Sequence, residues 1–375
     1  MKADKYDQFR ETVPGRANVV DRPDLIGYYH DLESLGAGAL WTVANRIEPW
    51  EPCSASHPMI WRYRDMRPRV LKALDLVTPE QAGRRVVYLA NPGRTDVAAA
   101  VGWLYSGLQV MKPGECASSH RHSASALRFI MEGRGAFTTV DGHKVTLEQN
   151  DFVLTPNGTW HEHGVSTDGT VCIWQDGLDI PLVNALEANF YEVHPELQQK
   201  IDHPPDDTSA AWGGNGLLPA AGVWSKPFSP LLKYEWAATY QALARYARTS
   251  AGSPFDGIMM DYVNPSNGGP VMPTIGASMQ LLRPGERGKA HRHVGSFVYQ
   301  CAKGAGTSII SGRRFDWVER DIFVVPSWTY HEHANASPTE DACLFAFHDL
   351  PVMRALGLYR EQAWAENDGH QTCTD

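Results

Sequence analysis

The chain is poor in cysteine, in positive charge and in long apolar runs. Its 375 residues hold six cysteines (Cys53, Cys116, Cys172, Cys301, Cys343 and Cys373), and no two form a C-x-x-C pair. That scatter argues against a thiolate zinc site and a disulfide framework, and fits reduced thiols in a cytosol. Lysine and arginine number 34 against 43 acidic residues, a formal net charge of −9. Nothing there attracts a phosphate backbone or an anionic membrane, so neither nucleic acid nor membrane is expected as a partner. No apolar stretch approaches the roughly 20 residues that span a bilayer. The opening "MKADKYDQFRETVPGR" lacks the apolar core of a secretory signal. A cytoplasmic protein is the expectation.

What the chain does have is a change of texture. "PDLIGYYHDLESLGAGALWTV" and "WRYRDMRPRVLKALDLV" carry apolar residues at spacings of three and four, which predicts helix. Past residue 95 come short β-rich runs cut by glycine and proline, among them "ALRFIMEGRGAFTTVDGHKVTLEQNDFVLTPNGTWHEHG". Such spacing predicts a sandwich or barrel. The expected organisation is a helical arm over 1–95, a β domain over 96–185 and a connector over 186–265. A second β domain over 266–350 and a closing helix and tail over 351–375 follow.

The two β segments are copies of one plan. His291 and His293 each stand 171 residues after His120 and His122, and Gly285 and Gly304 stand equally far after Gly114 and Gly133. "TPNGTWHEH" returns as "VPSWTYHEH", pairing His161 with His331 and His163 with His333. Asp179 and Pro181 return as Asp349 and Pro351. Agreement in order, identity and spacing marks an internal duplication.

In a strand, residues two apart share a face, so His120 and His122 present two imidazoles side by side. His161 follows the turn "TPNGTW" and can approach from a neighbouring strand. Three neutral imidazoles can cover one face of a metal ion and leave the other open. Such a set suits iron, copper, nickel or zinc, and the spacing does not choose among them.

Gly114, His120, His122 and Gly133, followed by Pro156, Gly158 and His161, resemble the two motifs of the cupin superfamily. One departure carries chemistry. Where many cupins place a metal-binding glutamate, this chain has Ala126 in the first copy and Phe297 in the second. The ligand set is then three histidines without a carboxylate. An Fe(II) ion so held keeps its full double charge and attracts an anionic, two-pronged substrate.

At "HRHSASALRFIMEGRGAFTTVDG", with "ANPG" upstream and "DLPVMRALGLYRE" near the end, the chain resembles the gentisate 1,2-dioxygenases, a family that includes salicylate and 1-hydroxy-2-naphthoate dioxygenases. The resemblance covers nearly the whole chain. It implies a mainly β bicupin, two double-stranded β-helix (jelly-roll) barrels with a helical N-terminal arm and helical connectors. It implies Fe(II), one per subunit in the N-terminal cupin, and a homotetramer. The implied reaction binds a salicylate-type substrate through its carboxylate and ortho hydroxyl. The ring is then split between the carbons bearing those groups, with both atoms of O2 incorporated. Gentisate would give maleylpyruvate; salicylate, substituted salicylates and 1-hydroxy-2-naphthoate are the alternatives.

By the same resemblance His120, His122 and His161 fall on the iron ligands and Arg128 on an arginine that meets the substrate carboxylate. Arg84 falls on a second pocket arginine, and whether it or Arg85 faces the pocket stays open. Gln109 and His163 fall on polar residues that contact substrate or dioxygen. Gly107 and Tyr105 share the strand face of Gln109 and shape the wall. Asp176 and Trp174 fall where side chains orient His161 or His163. The second copy retains His291, His293 and His331, able to hold a second metal as a vestigial or structural site, but has Tyr299 in place of Arg128. Two other readings fare worse. A manganese bicupin acting on oxalate needs the missing glutamate, and a non-enzymatic bicupin needs no complete histidine triads.

Overall fold

A computed structural model describes residues 22–214, 216–221 and 223–373. The chain divides into two compact units, residues 1–55 and 56–375. The opening segment before Arg22 lies outside the described residues. In the first unit the helix Pro23–Ser34 starts with proline in its first turn and stops before Gly36, whose φ of 69° only glycine takes readily. Short helical turns follow at Leu40–Thr42 and Ala44–Ile47. Tyr28 stacks on Trp41, and the Trp41 indole donates to the Tyr29 hydroxyl at 3.0 Å. No residue of the Pro23–Ser34 helix is buried, and Ile26, Tyr28, Leu35, Leu40, Trp41 and Trp50 are exposed.

The second unit is a bicupin. In the N-terminal barrel the main sheet runs Lys233–Tyr234, Phe152–Thr155, Ala126–Glu132, Cys172–Leu178, Tyr105–Met111, Val86–Tyr88. Its facing sheet runs Tyr191–Val193, His120–His122, His161–Val165, Ala136–Val140, His143–Leu147. The C-terminal barrel repeats the plan, with Met59–Trp61 at one edge of its main sheet and Ile258–Asp261 at the other. All named pairings are antiparallel, with bulges at Ile173/Trp174 and Cys301/Lys303, equivalent places in the two copies.

The sheets reach past the boundaries the sequence texture suggests. Met59–Trp61 and Val86–Tyr88, expected in the helical arm, are strands, and so are Lys233–Tyr234 and Ile258–Asp261, expected in the connector. The exchange is reciprocal. The segment before the first barrel pairs with Ile322–Val325 of the second, and the segment before the second pairs with Phe152–Thr155 of the first. Pairing covers edges that would otherwise invite association. These strands are two to four residues long, too short to show a period in sequence. The closing segment likewise holds the strand Glu361–Ala363 after its helix Leu350–Ala355.

Alternation along Ala126–Glu132 decides what lies where. Leu127 and Phe129 join one buried cluster with Met279, Val298, Phe345 and Phe347 of the other barrel, so the two main sheets pack back to back. The Phe129 and Phe345 rings stack at 4.0 Å. The intervening Arg128 therefore points into its own barrel. Phe129→Ala should cost about 3–5 kcal/mol, the usual range for emptying a buried aromatic site. Urea unfolding followed by circular dichroism would read this as a lowered midpoint. An unchanged midpoint would mean that the interface between the sheets closes over the gap.

Candidate active site

The N-terminal barrel gathers four imidazoles. His120 and His122 lie on one face of their strand while Arg121 between them pairs with Glu192 outside. His120 is cross-strand from His161. Ring centroids of His120, His122 and His161 lie 4.3 to 5.6 Å apart. Each Nδ1 abuts a main-chain carbonyl: His120 that of Ser118 at 2.8 Å, His122 that of Ala124 at 2.8 Å, His161 that of Thr159 at 3.0 Å. A carbonyl only accepts, so Nδ1 carries the proton and Nε2 keeps its lone pair. The Nε2 atoms of His122 and His161 are buried without a partner. An unpaired buried polar atom costs about 1–3 kcal/mol, which a metal ion would relieve.

Burial, reinforced by Arg84, pushes the His120 ring down to about 3 and the His122 ring to about 4, and burial with the neighbouring rings holds His161 well below its usual range. All three rings are therefore neutral at physiological pH, the form that can donate a lone pair to a metal. His163 also brings a nitrogen within 4.8 Å of those of His120 and His161. Its Nε2, however, accepts from Arg128 Nη2 at 2.6 Å while its Nδ1 lies 3.2 Å from the Thr138 hydroxyl. The nitrogens gathered within 4.8 Å are those of His120, His161 and His163, while His122 alongside them keeps an unpartnered Nε2, so either His122 or His163 could complete a metal set with His120 and His161. Ala126 packs against Ala124, Leu178 and Val183 and adds no carboxylate.

Arg128 is 2% exposed and held on three sides. Nη1 donates to the Thr155 hydroxyl at 3.1 Å, Nη2 to His163, and Nε lies 3.2 Å from Asp176 Oδ1. Burial lowers the guanidinium to about 10, still charged, and raises the Asp176 carboxyl against the pull of Arg128. The Nε–H is ion-paired with Asp176 without an aligned hydrogen bond, and one N–H on each terminal nitrogen also has no partner, the pair that can grip a carboxylate. Gln109 stands cross-strand from Val86 and Trp174, with its Oε1 buried and unpaired.

Arg84 and Arg85 part company. Arg84 Nη1 reaches His120 Nε2 at 3.0 Å, at the site. Arg85 turns away: it grips Glu115 at 2.6 and 2.9 Å and donates to the Val77 carbonyl, so it is not a pocket residue. Asp176 differs from expectation too. It braces Arg128 and accepts from the Trp174 indole at 3.2 Å, while Thr138 is the residue that orients His163. Trp174 packs with Met111, Ile130 and Val153 in the floor of the barrel. Tyr105 stacks near Tyr88, and burial lifts its hydroxyl to about 12. A Cβ on Gly107 would come within 2.6 Å of Val86 and 3.1 Å of the Tyr105 hydroxyl, so glycine is what lets Val86 and Tyr105 approach this strand so closely.

Thr138, Thr155 and Tyr191 were not visible as site residues in the sequence. Tyr191 stacks on His120 at 5.3 Å from the connector strand that pairs with His120–His122. The duplication held a signal for Thr155. In the second copy Arg128, Thr155 and Asp176 become Tyr299, Val325 and Ala346 at matching register, so the whole guanidinium cradle is lost together. A third cluster, partly exposed, sets His143 Nδ1 at 2.9 Å and His203 Nδ1 at 3.6 Å from Asp207 Oδ2, between the connector and the first barrel.

The Cupin domain family matches residues 107–181 and again 278–348. The 5-aminosalicylate 1,2-dioxygenase of Comamonas sp is 39% identical, over 94% of this chain and 93% of its own length. Gentisate 1,2 dioxygenase 1 of Aquipseudomonas alcaligenes is 37% identical, over 89% and 95%. This chain belongs to the gentisate 1,2-dioxygenase family. Family membership makes it a ring-cleaving dioxygenase of the group acting on gentisate, salicylates and 1-hydroxy-2-naphthoate. The crystal structure of salicylate 1,2-dioxygenase from Pseudoaminobacter salicylatoxidans with gentisate superposes with a TM-score of 0.86 at 31% identity, covering 94% of this chain and 96% of that one. Among the described residues of this family member, no helix is long and apolar enough to cross a membrane.

Proposed function

We propose that this chain is a gentisate 1,2-dioxygenase that uses Fe(II) in its N-terminal cupin and yields maleylpyruvate. The observation that carries this reading is the buried Arg128, hydrogen-bonded by Thr155 and His163, ion-paired with Asp176 and with an N–H to spare on each terminal nitrogen, beside the neutral imidazoles of His120, His122 and His161. Fe(II), when bound by His120, His122 and His161, supplies the redox link between an electron-rich ring and dioxygen. The chain's own groups do the rest. Arg128 takes the substrate carboxylate, and Asp176, Thr155 and His163 hold its plane fixed. Arg84 donates to the His120 lone pair that a metal would use, so its guanidinium is released to the substrate when that lone pair is taken. Gln109 offers an acceptor oxygen to a ring hydroxyl. The carbon–carbon bond between the carboxyl- and hydroxyl-bearing positions breaks, both oxygens of O2 are retained, and no outside reductant is needed.

A 5-aminosalicylate substrate is the second reading, favoured by the 39% identity to the Comamonas enzyme. Gentisate and 5-aminosalicylate both carry an electron-donating group para to the ring hydroxyl. The test is oxygen uptake after anaerobic Fe(II) loading, with gentisate, 5-aminosalicylate, salicylate and 1-hydroxy-2-naphthoate in parallel. The highest kcat/KM is expected for gentisate. A higher value for any other acid replaces gentisate with that acid.

The assembly proposed is a homotetramer in the cytoplasm. In the first unit Trp50 is 66% and Leu35 76% exposed, together with Tyr28 and Trp41. Large aromatic side chains left in water are typical of interfaces waiting for a partner. Light scattering after size exclusion should give the mass of four chains at micromolar concentration. A single-chain mass would exclude the tetramer.

A further inference from the structure

Besides losing the guanidinium cradle, the C-terminal barrel reverses a charge at its edge strand. Arg84 lies two residues before the edge strand Val86–Tyr88 and reaches His120 Nε2. Asp256 lies two residues before the equivalent edge strand Ile258–Asp261, and its Oδ1 is 3.5 Å from His291 Nε2. A cation faces the first histidine of one triad and an anion faces the first histidine of the other. We propose that the C-terminal cupin holds its own divalent first-row metal ion on His291, His293, His331 and the carboxylate of Asp256, as a structural centre without turnover.

The imidazoles are already gathered. Their centroids lie 4.6 to 5.4 Å apart, close to the spacing in the first barrel, and one nitrogen of each lies within 4.8 Å of the other two. The Nε2 atoms of His291 and His331 are buried without a hydrogen-bond partner. His331 Nδ1 meets the Thr329 carbonyl at 3.0 Å, which leaves the Nε2 lone pair inward. Asp256 and His291 approach without aligning as donor and acceptor. Metal bonds of about 2.0–2.2 Å at tetrahedral angles set ligand atoms about 3.4 Å apart, so 3.5 Å is the distance of two ligands on one ion.

The surroundings hold those ligands in place. Glu361 Oε1 is 3.1 Å from His291 Nδ1, the carboxylate–histidine arrangement that fixes a ligating ring and raises its basicity. In the first barrel that connector position is Tyr191, stacked on His120. Phe255 stacks on His291 at 4.7 Å and 4°. Asp256 accepts from the Ser253 hydroxyl at 3.4 Å through Oδ2, and its carbonyl accepts from Gln280 at 2.8 Å. Three imidazoles and a carboxylate suit iron, zinc or manganese, and the carboxylate cancels half of the ion's charge. Substrate has no place there. Tyr299, Val325 and Ala346 replace the guanidinium cradle, and the Phe297 ring lies 4.8 Å from His293. This inference does not rest on the identity of the substrate.

The test is stoichiometry. The full-length protein, stripped by chelator, is titrated with Zn(II) and its bound metal measured by mass spectrometry and calorimetry. Two ions per chain are expected, falling to one in His331→Ala. Asp256→Asn keeps the shape of the side chain, so it tests the carboxylate even where His331→Ala fails to fold. It should weaken the second ion by about tenfold or more, at least the loss that outer partners of a ligand cause. The first ion should keep its affinity, and oxygen uptake per N-terminal Fe should stay within about twofold, because binding at separate sites is near-additive. A wild-type protein that binds one Zn(II) overturns the second centre. Two ions with equal affinities in wild type and Asp256→Asn overturn the role of Asp256.

Discussion

His122→Ala abolishes oxygen uptake with gentisate and empties the N-terminal cupin of its metal. The expectation rests on what remains once one imidazole is gone. His120 and His161 would leave a two-ligand site unless His163, whose nitrogen lies within 4.8 Å of theirs, gave up its bond to Arg128. Recruiting it would break the hold on the carboxylate clamp. The loss should exceed the roughly hundredfold that follows removal of an outer partner of a ligand. The fold should survive, since the variant gives up only the bond from His122 Nδ1 to the Ala124 carbonyl, worth about 1 kcal/mol, and Nε2 makes none. Metal analysis and oxygen uptake on the same preparation check this. Near-normal uptake with intact circular dichroism would remove His122 from the ligand set.

Arg128→Ala should lower kcat/KM for gentisate by a factor of roughly 30 or more, the equivalent of about 2–5 kcal/mol for a buried charge pair that loses one partner. The iron content should hold, because Arg128 touches none of His120, His122 or His161 through a hydrogen bond. Stability should fall as well, since Asp176 is left buried without its cation. Arg128→Lys separates the two effects. A lysine keeps a positive charge near Asp176 but lacks the flat fork that serves Thr155, His163 and a carboxylate together. It should recover most of the thermal stability and little of the kcat/KM. If both variants keep wild-type kcat/KM at full iron loading, the carboxylate is held elsewhere, with Arg84 the next candidate.

The outer positions of the fold were hard to read. Met59–Trp61 and Lys233–Tyr234 are strands because each finds an open sheet edge on the opposite barrel, and nothing within three or two residues foretells a partner so far along the chain. Arg84 and Arg85 are adjacent and chemically identical, so no local rule separates them. Glu115, thirty residues on, takes Arg85 and leaves Arg84 to the pocket. Asp256 sits in "SPFDG", which reads as a turn, and turns to His291 only because the two edge strands of the duplication are equivalent.

The sequence by itself determined the duplication and the shared face of His120 and His122. Each follows from a period of two in a strand or from an offset repeated along the chain, and both survive any rearrangement of loops. Only the tertiary structure decided which polar groups hold Arg128, which arginine enters the site, and that an anion stands where the twin barrel has a cation. Those choices depend on side chains brought together across sheets from distant segments. In a buried site, the partner that satisfies a charge is whichever group the packing places within hydrogen-bond reach.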